Sequence, residues 1–246
     1  MLFLFAAGVV AGALNAVGGG GTFIALPALV TAGLPAVTAN ASATVALLPG
    51  AAASAWAYRH DVAPLGTTSM GALTATSVVG GGLGAGLLIV LPSRSFEAAV
   101  PWLLAFATVV LAGGRAWSAR LARRRFALGA GSVLVGQLLL AVYGGYFGGA
   151  VGILMLAVWS IGLGVDAATG NPQRVTQLAA VYAAAAAVFL ATTDILDDPG
   201  PVAAVLTGSI GGGLIGARVA RRLSAPVLRG VVLAVATTMT VLYAVR

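Results

Sequence analysis

The chain of 246 residues contains no cysteine, no lysine and a single histidine, His60. Without cysteine there is no disulfide framework, no thiolate nucleophile and no Cys/His cage for a metal. A lone histidine, with no GxSxG-type setting around a serine, also leaves an intramembrane hydrolase without a base for its nucleophile. Charge is scarce as well: there are 6 acidic residues, the 13 basic residues are all arginine, and charged residues make up 8% of the chain. The acidic residues fall mainly in loops, so the buried carboxylates that a cation carrier needs are missing. No metal, cofactor or enzymatic chemistry is expected.

Apolar surface fills the space that charge vacates. Hydrophobic residues make up 60% of the chain and the mean hydropathy is +1.04, values that belong to an integral membrane protein. A net charge of +7 would suggest a nucleic-acid partner in a soluble domain. In a membrane protein it reports the arginine excess of cytoplasmic loops, so no nucleic acid is expected and the lipid bilayer is the first partner. The opening MLFLFAAGVVAG is apolar from its first residue and lacks a basic n-region, so it reads as part of the first helix and not as a cleaved signal.

Apolar segments fall at 1–17, 22–32, 38–58, 64–91, 96–113, 126–142, 147–163, 172–193, 200–219 and 226–245. A full crossing takes about 20 apolar residues, so segment 22–32 is too short to cross alone. Just before it stand four consecutive glycines, Gly18, Gly19, Gly20 and Gly21, in ALNAVGGGGTFIALPALV. Each costs a helix interior about 1 kcal/mol relative to alanine, so the helix is expected to break there. The break recurs as YGGYFGGAVGILML at 143–156, VVGGGLGA at 78–85 recurs as SIGGGLIGA at 209–217, and TAGLPAVTANAS is echoed by SIGLGVDAATGNPQ. All three pairs lie about 130 residues apart, the signature of a tandem duplication. The chain divides into repeat one (1–113), a basic linker (114–125) and repeat two (126–246), forming a single transport domain.

Arginine placement orients the halves. The linker carries five arginines between Arg115 and Arg125. If the repeats are inverted, Arg59, the linker and the Arg218, Arg221, Arg222 cluster all lie on the cytoplasmic side, with Arg94, the Asp194, Asp197, Asp198 turn and Arg246 outside. Parallel repeats split the arginines nearly evenly, which fits the bias less well. Inversion needs an odd number of net crossings per half. A re-entrant hairpin of segments 1–17 and 22–32 followed by three spans satisfies that parity, as do three complete crossings over 1–58. The expected fold is an all-α polytopic membrane protein of two inverted repeats, about five helical segments each and 8 to 10 hydrophobic segments in all.

Inverted repeats with interrupted helices are the usual construction of secondary transporters, whose sites lie near the bilayer midplane at the interruptions. Irregular backbone at that depth must be covered by protein or face a water-filled cavity. Amide N–H groups freed at the start of a half-helix carry partial positive charge and can face an anion directly. Gly18 to Gly21 with Thr22, and Gly148 with Gly149 in the second half, are therefore the expected backbone cradle. Gly80, Gly84, Gly208, Gly212 and Gly216 recur at four-residue spacing and read instead as close helix packing.

The paired motifs GALNAVGGGGTFIALPALV and YGGYFGGAVGILML, with NPQR a short distance beyond the second, resemble the TauE/SafE family of sulfite and organosulfonate transporters over nearly the whole chain. The resemblance implies permeation of small sulfur oxyanions or sulfonates, usually outward, through the bacterial plasma (inner) membrane. Related small carboxylates or other oxyanions are the alternative cargo, an anion channel the alternative mode, and a scaffold without flux the bland reading. Direction, coupling ion and oligomeric state are open at this stage.

Polar side chains inside apolar segments supply the remaining candidates. Asn15 precedes the first break, and Tyr143 and Tyr146 bracket the second; amide and phenol donors suit the three oxygens of a sulfonate. Asn40, Ser42 and Thr44 hold in the first half the place that Asn171, Gln173, Arg174 and Gln177 hold in the second. Arg174 begins a core segment beside a glycine break, and its planar guanidinium can clamp an oxyanion through two contacts. Its alternative is a helix cap that snorkels to headgroups. Gln137 reads as a hydrogen-bonding link between helices or as a substrate contact. His60 beside Asp61 is the pair through which protons would serve as coupling ion.

Overall fold

A computed structural model describes residues 1–18, 20–122, 129–165 and 169–220, together with 234, 237 and 238. Gly19, the end of the basic linker, Arg221, Arg222 and nearly all of segment 226–245 lie outside the described residues. Within them the chain is helical: α1 (Leu2–Gly18), α2 (Thr22–Thr31), α3 (Ala36–Ala57), α4 (Met70–Val90), α5 (Ser93–Ala122), α6 (Ala130–Tyr146), α7 (Val151–Leu163), α8 (Asn171–Thr192) and α9 (Pro199–Ala220). The apolar segments and the helices coincide closely. The chief difference is α5, which runs past residue 113 through the first part of the basic linker.

Local chemistry sets several of these boundaries. Ser69 caps α4 by accepting the Ala72 N–H at 3.2 Å, which satisfies one of the free amides of the first turn. Pro172 stands in the first turn of α8, where its missing N–H costs nothing. Gly164, with φ +68°, ends α7 in the left-handed conformation that glycine takes without strain.

Helices α3, α4 and α8 are long and apolar enough to cross a membrane. At 1.5 Å per residue, α3 and α8 reach about 33 Å, whereas α2 reaches about 15 Å, half the hydrocarbon thickness. Val79, Leu83, Trp102, Val135, Leu139 and Ile215 are more than half exposed outward. An apolar belt of this kind is a liability in water and a requirement in lipid.

Glycine builds the tightest seams. A Cβ on Gly8, Gly12, Gly208 or Gly212 would overlap the backbone at Val205, Ser209, Phe5 and Val9 respectively, so α1 and α9 touch main chain to main chain and run parallel. The same seam joins α4 to α6, with Gly80 against Leu138, Gly84 against Val142 and Gly145 against Gly81. The partner positions on α1 and α6 keep a constant offset of 133 residues (5 to 138, 9 to 142, 12 to 145). Packing is thus the role of Gly80, Gly84, Gly208 and Gly212, as their spacing suggested.

The third helix of each half joins the seam made by the other two. Ser209 on α9 donates to the Ala46 carbonyl of α3 at 2.6 Å, and Gly81 on α4 faces the backbone of Val181 on α8. Two trios result, α1 with α3 and α9, and α4 with α6 and α8, each drawing helices from both halves. They meet along α3 and α8.

Candidate functional site

The first break is closed by its own neighbour. Asn15, in the last turn of α1, accepts the Gly21 N–H through Oδ1 at 3.3 Å, while its Nδ2 has no hydrogen-bond partner although the residue is 3% exposed. Hydrogen bonding in α2 begins with Phe23 donating to the Gly20 carbonyl. The second break runs from 147 to 150, all buried. Gly148 (φ +79°) and Ala150 (φ +57°) turn the chain through the left-handed region, and the α7 ladder begins only at Ile153 and Leu154, both bonded to the Ala150 carbonyl. The amides of Val151 and Gly152 stand ahead of that ladder at the positive end of the helix.

Arg174 lies between this helix start and the end of α1. It is wholly buried; Nε donates to Asn171 Oδ1 at 2.9 Å and Nη2 to the Ala16 carbonyl at 3.1 Å. Nη1 has no partner. Gly152 makes room for it, since a Cβ there would sit 2.8 Å from Nη1. The five carboxylates among the described residues, Asp61, Glu97, Asp194, Asp197 and Asp198, are all exposed. A buried cation with no opposing charge is costly, as is a buried donor left unmade. Two such donors meet the last turn of α1, Asn15 Nδ2 from within it and Arg174 Nη1 beside it, and an anion with several acceptor oxygens is the chemistry that would satisfy both.

The two breaks touch. Thr22 Oγ1, at the first residue of α2, would be 3.1 Å from a Cβ on Gly148, and the Tyr182 hydroxyl on α8 lies 3.4 Å from Thr22 Oγ1 while donating to the Gly148 carbonyl at 3.3 Å. The fold thus gathers Asn15, Gly21, Thr22, Gly148, Asn171 and Arg174 of the expected set. Gly20 is buried beside them in the first break and Gly18 ends α1, while Gly149 is buried in the second break with the Phe147 ring against its Cα. Tyr182 and the carbonyl of Ala16 join them. Tyr182 was legible as the lone hydroxyl in AAVYAAAAAVF, but no glycine break adjoins it in sequence.

Tyr143 and Tyr146 stay at the edge of the second break, the Tyr143 carbonyl accepting the Gly148 N–H at 3.5 Å, whereas the remaining expected residues are engaged elsewhere. Asn40 donates to the Tyr146 carbonyl at 2.9 Å, linking the start of α3 to the end of α6. The Tyr146 ring packs edge-on to Phe96 at 5.6 Å, and Tyr143 meets Phe106 and Phe147 in the same way. The Tyr143 hydroxyl is buried without a partner. Gln173 reaches away from the breaks to the Ala63 carbonyl at 3.0 Å. His60 and Asp61 are exposed on the α3–α4 loop.

Gln137 is a link between helices. It donates to Ser77 Oγ at 2.8 Å, Ser77 donates to Gln177 Oε1 at 2.8 Å, and Gln177 reaches Thr74 Oγ1 at 3.1 Å, a buried chain joining α4, α6 and α8. Such intramembrane bonds contribute about 0.6 kcal/mol each, so Gln137→Leu is expected to lower the melting temperature slightly and leave flux within about twofold of wild type.

The family model for the sulfite exporter TauE/SafE matches residues 4–243. No curated protein and no solved structure matches the chain. A match of that extent, over a chain of apolar helices, places the protein in the TauE/SafE sulfite exporter family.

Proposed function

We propose that the protein is a secondary transporter that moves sulfite or a small organosulfonate outward across the bacterial plasma membrane, binding it between the two helix breaks. The family supplies the class, a membrane transporter and not an enzyme. The observation that carries the site is Arg174, a fully buried guanidinium with a free Nη1 and no described carboxylate near it. Asn15 Nδ2 adds a donor from the first half, and the leading amides of α7 add aligned dipoles from the second. Charge complementarity selects an anion, and the free Nη1 with the Asn15 amide nearby favours one that carries several acceptor oxygens.

Inverted repeats and a re-entrant first pair of helices are part of this reading. They are supported by the parallel seams α1 with α9 and α4 with α6, and by the contact of the start of α8, through Gln173, with the loop that follows the end of α3. In the alternating cycle the moving bodies are the two exchanged trios, since each is knit by backbone contact that resists sliding. The arginine-rich linker lies in the cytoplasm. Any proton coupling through His60 and Asp61 acts from the exposed loop and not at the anion.

Asn15, Thr22, Arg174 and Tyr182 are all sealed from the surroundings, which favours a carrier over an open channel. Counterflow in proteoliposomes tests this. Vesicles loaded with unlabelled sulfite are expected to accumulate labelled sulfite transiently above its equilibrium level, and the initial rate is expected to saturate. A linear rate without overshoot indicates a channel, and absence of flux with every sulfur oxyanion and sulfonate overturns the transport reading itself.

A further inference from the structure

Tyr182 is the only side chain among the described residues shown bonding to both helix breaks. Its hydroxyl donates to the Gly148 carbonyl at 3.3 Å and lies 3.4 Å from Thr22 Oγ1, so one phenol in α8 spans the second break and the start of α2. The ring is wholly buried inside a run of alanines, and its hydroxyl also lies within reach of the Asn15 side chain. Both contacts are with protein groups, whereas Arg174 Nη1 is unspent.

The device has no twin. Asn40 and Asn171 hold equivalent places in the duplicated chain, as do Gly50 and Val181, which face the backbone of Ser209 and Gly81 respectively. Both pairs are 131 residues apart (40 to 171, 50 to 181), and the same offset takes Tyr182 to Ala51, a buried methyl without a hydroxyl. Duplication therefore does not account for the phenol. A packing role does not need the oxygen either, because phenylalanine has the same ring without a polar group to desolvate.

We infer that Tyr182 is a positioning residue: its hydroxyl latches the second break to the start of α2 and holds the anion site closed until the two trios part. The inference rests on the transporter reading above but concerns closure, not cargo. Gly148 suits this role because its left-handed backbone turns a carbonyl toward α8 that a regular helix would have spent internally. Thr22 suits it because its Oγ1 both accepts and donates, so the phenol proton goes to the Gly148 carbonyl while the Thr22 hydroxyl bonds the phenol oxygen.

The test uses no substrate, so its failure is separate from a failure to find the transported anion. Because the chain has no cysteine, Ala16→Cys gives a unique, buried thiol on the residue whose carbonyl accepts from Arg174, and its alkylation rate by a small charged thiol reagent reports opening of the site. Adding Tyr182→Phe is expected to raise that rate about fivefold, the effect of losing the one neutral hydrogen bond that crosses to α2 in the closed state. Thr22→Val is expected to raise it by a similar factor, and Thr22→Ser, which keeps the hydroxyl, to restore the slow rate. Phe189→Leu, on the same helix and buried, is the control: it lowers the melting temperature without speeding alkylation. Equal rates with tyrosine and phenylalanine at position 182, or an equal gain in Phe189→Leu, overturn the latch. Should Tyr182→Phe fail to fold, the Thr22→Val and Thr22→Ser pair decides the matter alone, and equal rates in those two overturn it.

Discussion

Arg174→Met is expected to abolish saturable anion flux while leaving the protein folded. Removing a buried cationic contact to an anion costs about 3 kcal/mol, or roughly a hundredfold in affinity, which puts half-saturation beyond practical concentrations. Stability should move little, because Arg174 has no described carboxylate to strand. Only Asn171 Oδ1 and the Ala16 carbonyl lose a donor, while a buried charge disappears. Arg174→Lys keeps the charge but not the fork, and is expected to recover part of the flux with about tenfold weaker apparent affinity. Initial rates in proteoliposomes, paired with melting curves of the same preparations, check all three. A methionine variant that transports normally removes arginine from the site. One that fails to fold shows the guanidinium to be structural.

The second large effect concerns the seams. Gly84→Ala places a methyl against the Val142 carbonyl and the Tyr146 amide, both main-chain atoms that no rotamer can move aside. The α4–α6 pair must then separate along its length, and the expected loss is about 2–3 kcal/mol, seen as a sharp fall in melting temperature or in the inserted yield. Gly212→Ala, against Val9 on the α1–α9 seam, is expected to do the same. Gly82→Ala and Gly211→Ala are the controls, since a Cβ at either meets nothing within 4 Å. Relieved of the helix penalty of glycine, they should be neutral or stabilised by up to about 1 kcal/mol. Four glycines in two short runs of similar sequence thus separate by facing alone.

Which way a glycine faces is not written in the sequence. Hydropathy marked the helices because lipid tolerates backbone only when it is internally bonded, so each crossing leaves a long apolar run. The breaks were visible because four glycines in a row make a helix interior costly, although Gly21 also packs against the Ala11 carbonyl. Arg174 stood out because an arginine at the head of an apolar segment is expensive. Pairing across the halves was hidden, since composition within a helix does not say which helix its glycines approach. For the same reason Asn40 and Tyr146 could be matched to the repeat but not to each other, whereas the structure ties the Asn40 amide to the Tyr146 carbonyl. Tyr182 escaped notice because its importance depends on the approach of Thr22 and Gly148, residues 160 and 34 positions away.

The most direct test of an anion site centred on Arg174 is the melting temperature of the purified protein as sulfite or a short sulfonate replaces chloride at constant ionic strength. A ligand held by the folded state at a hundred times its dissociation constant stabilises it by about 2.7 kcal/mol. Wild type should therefore melt progressively higher with one of these anions, and Arg174→Met should not respond. A rise of equal size in both proteins would place the anion elsewhere and contradict the assignment of Arg174.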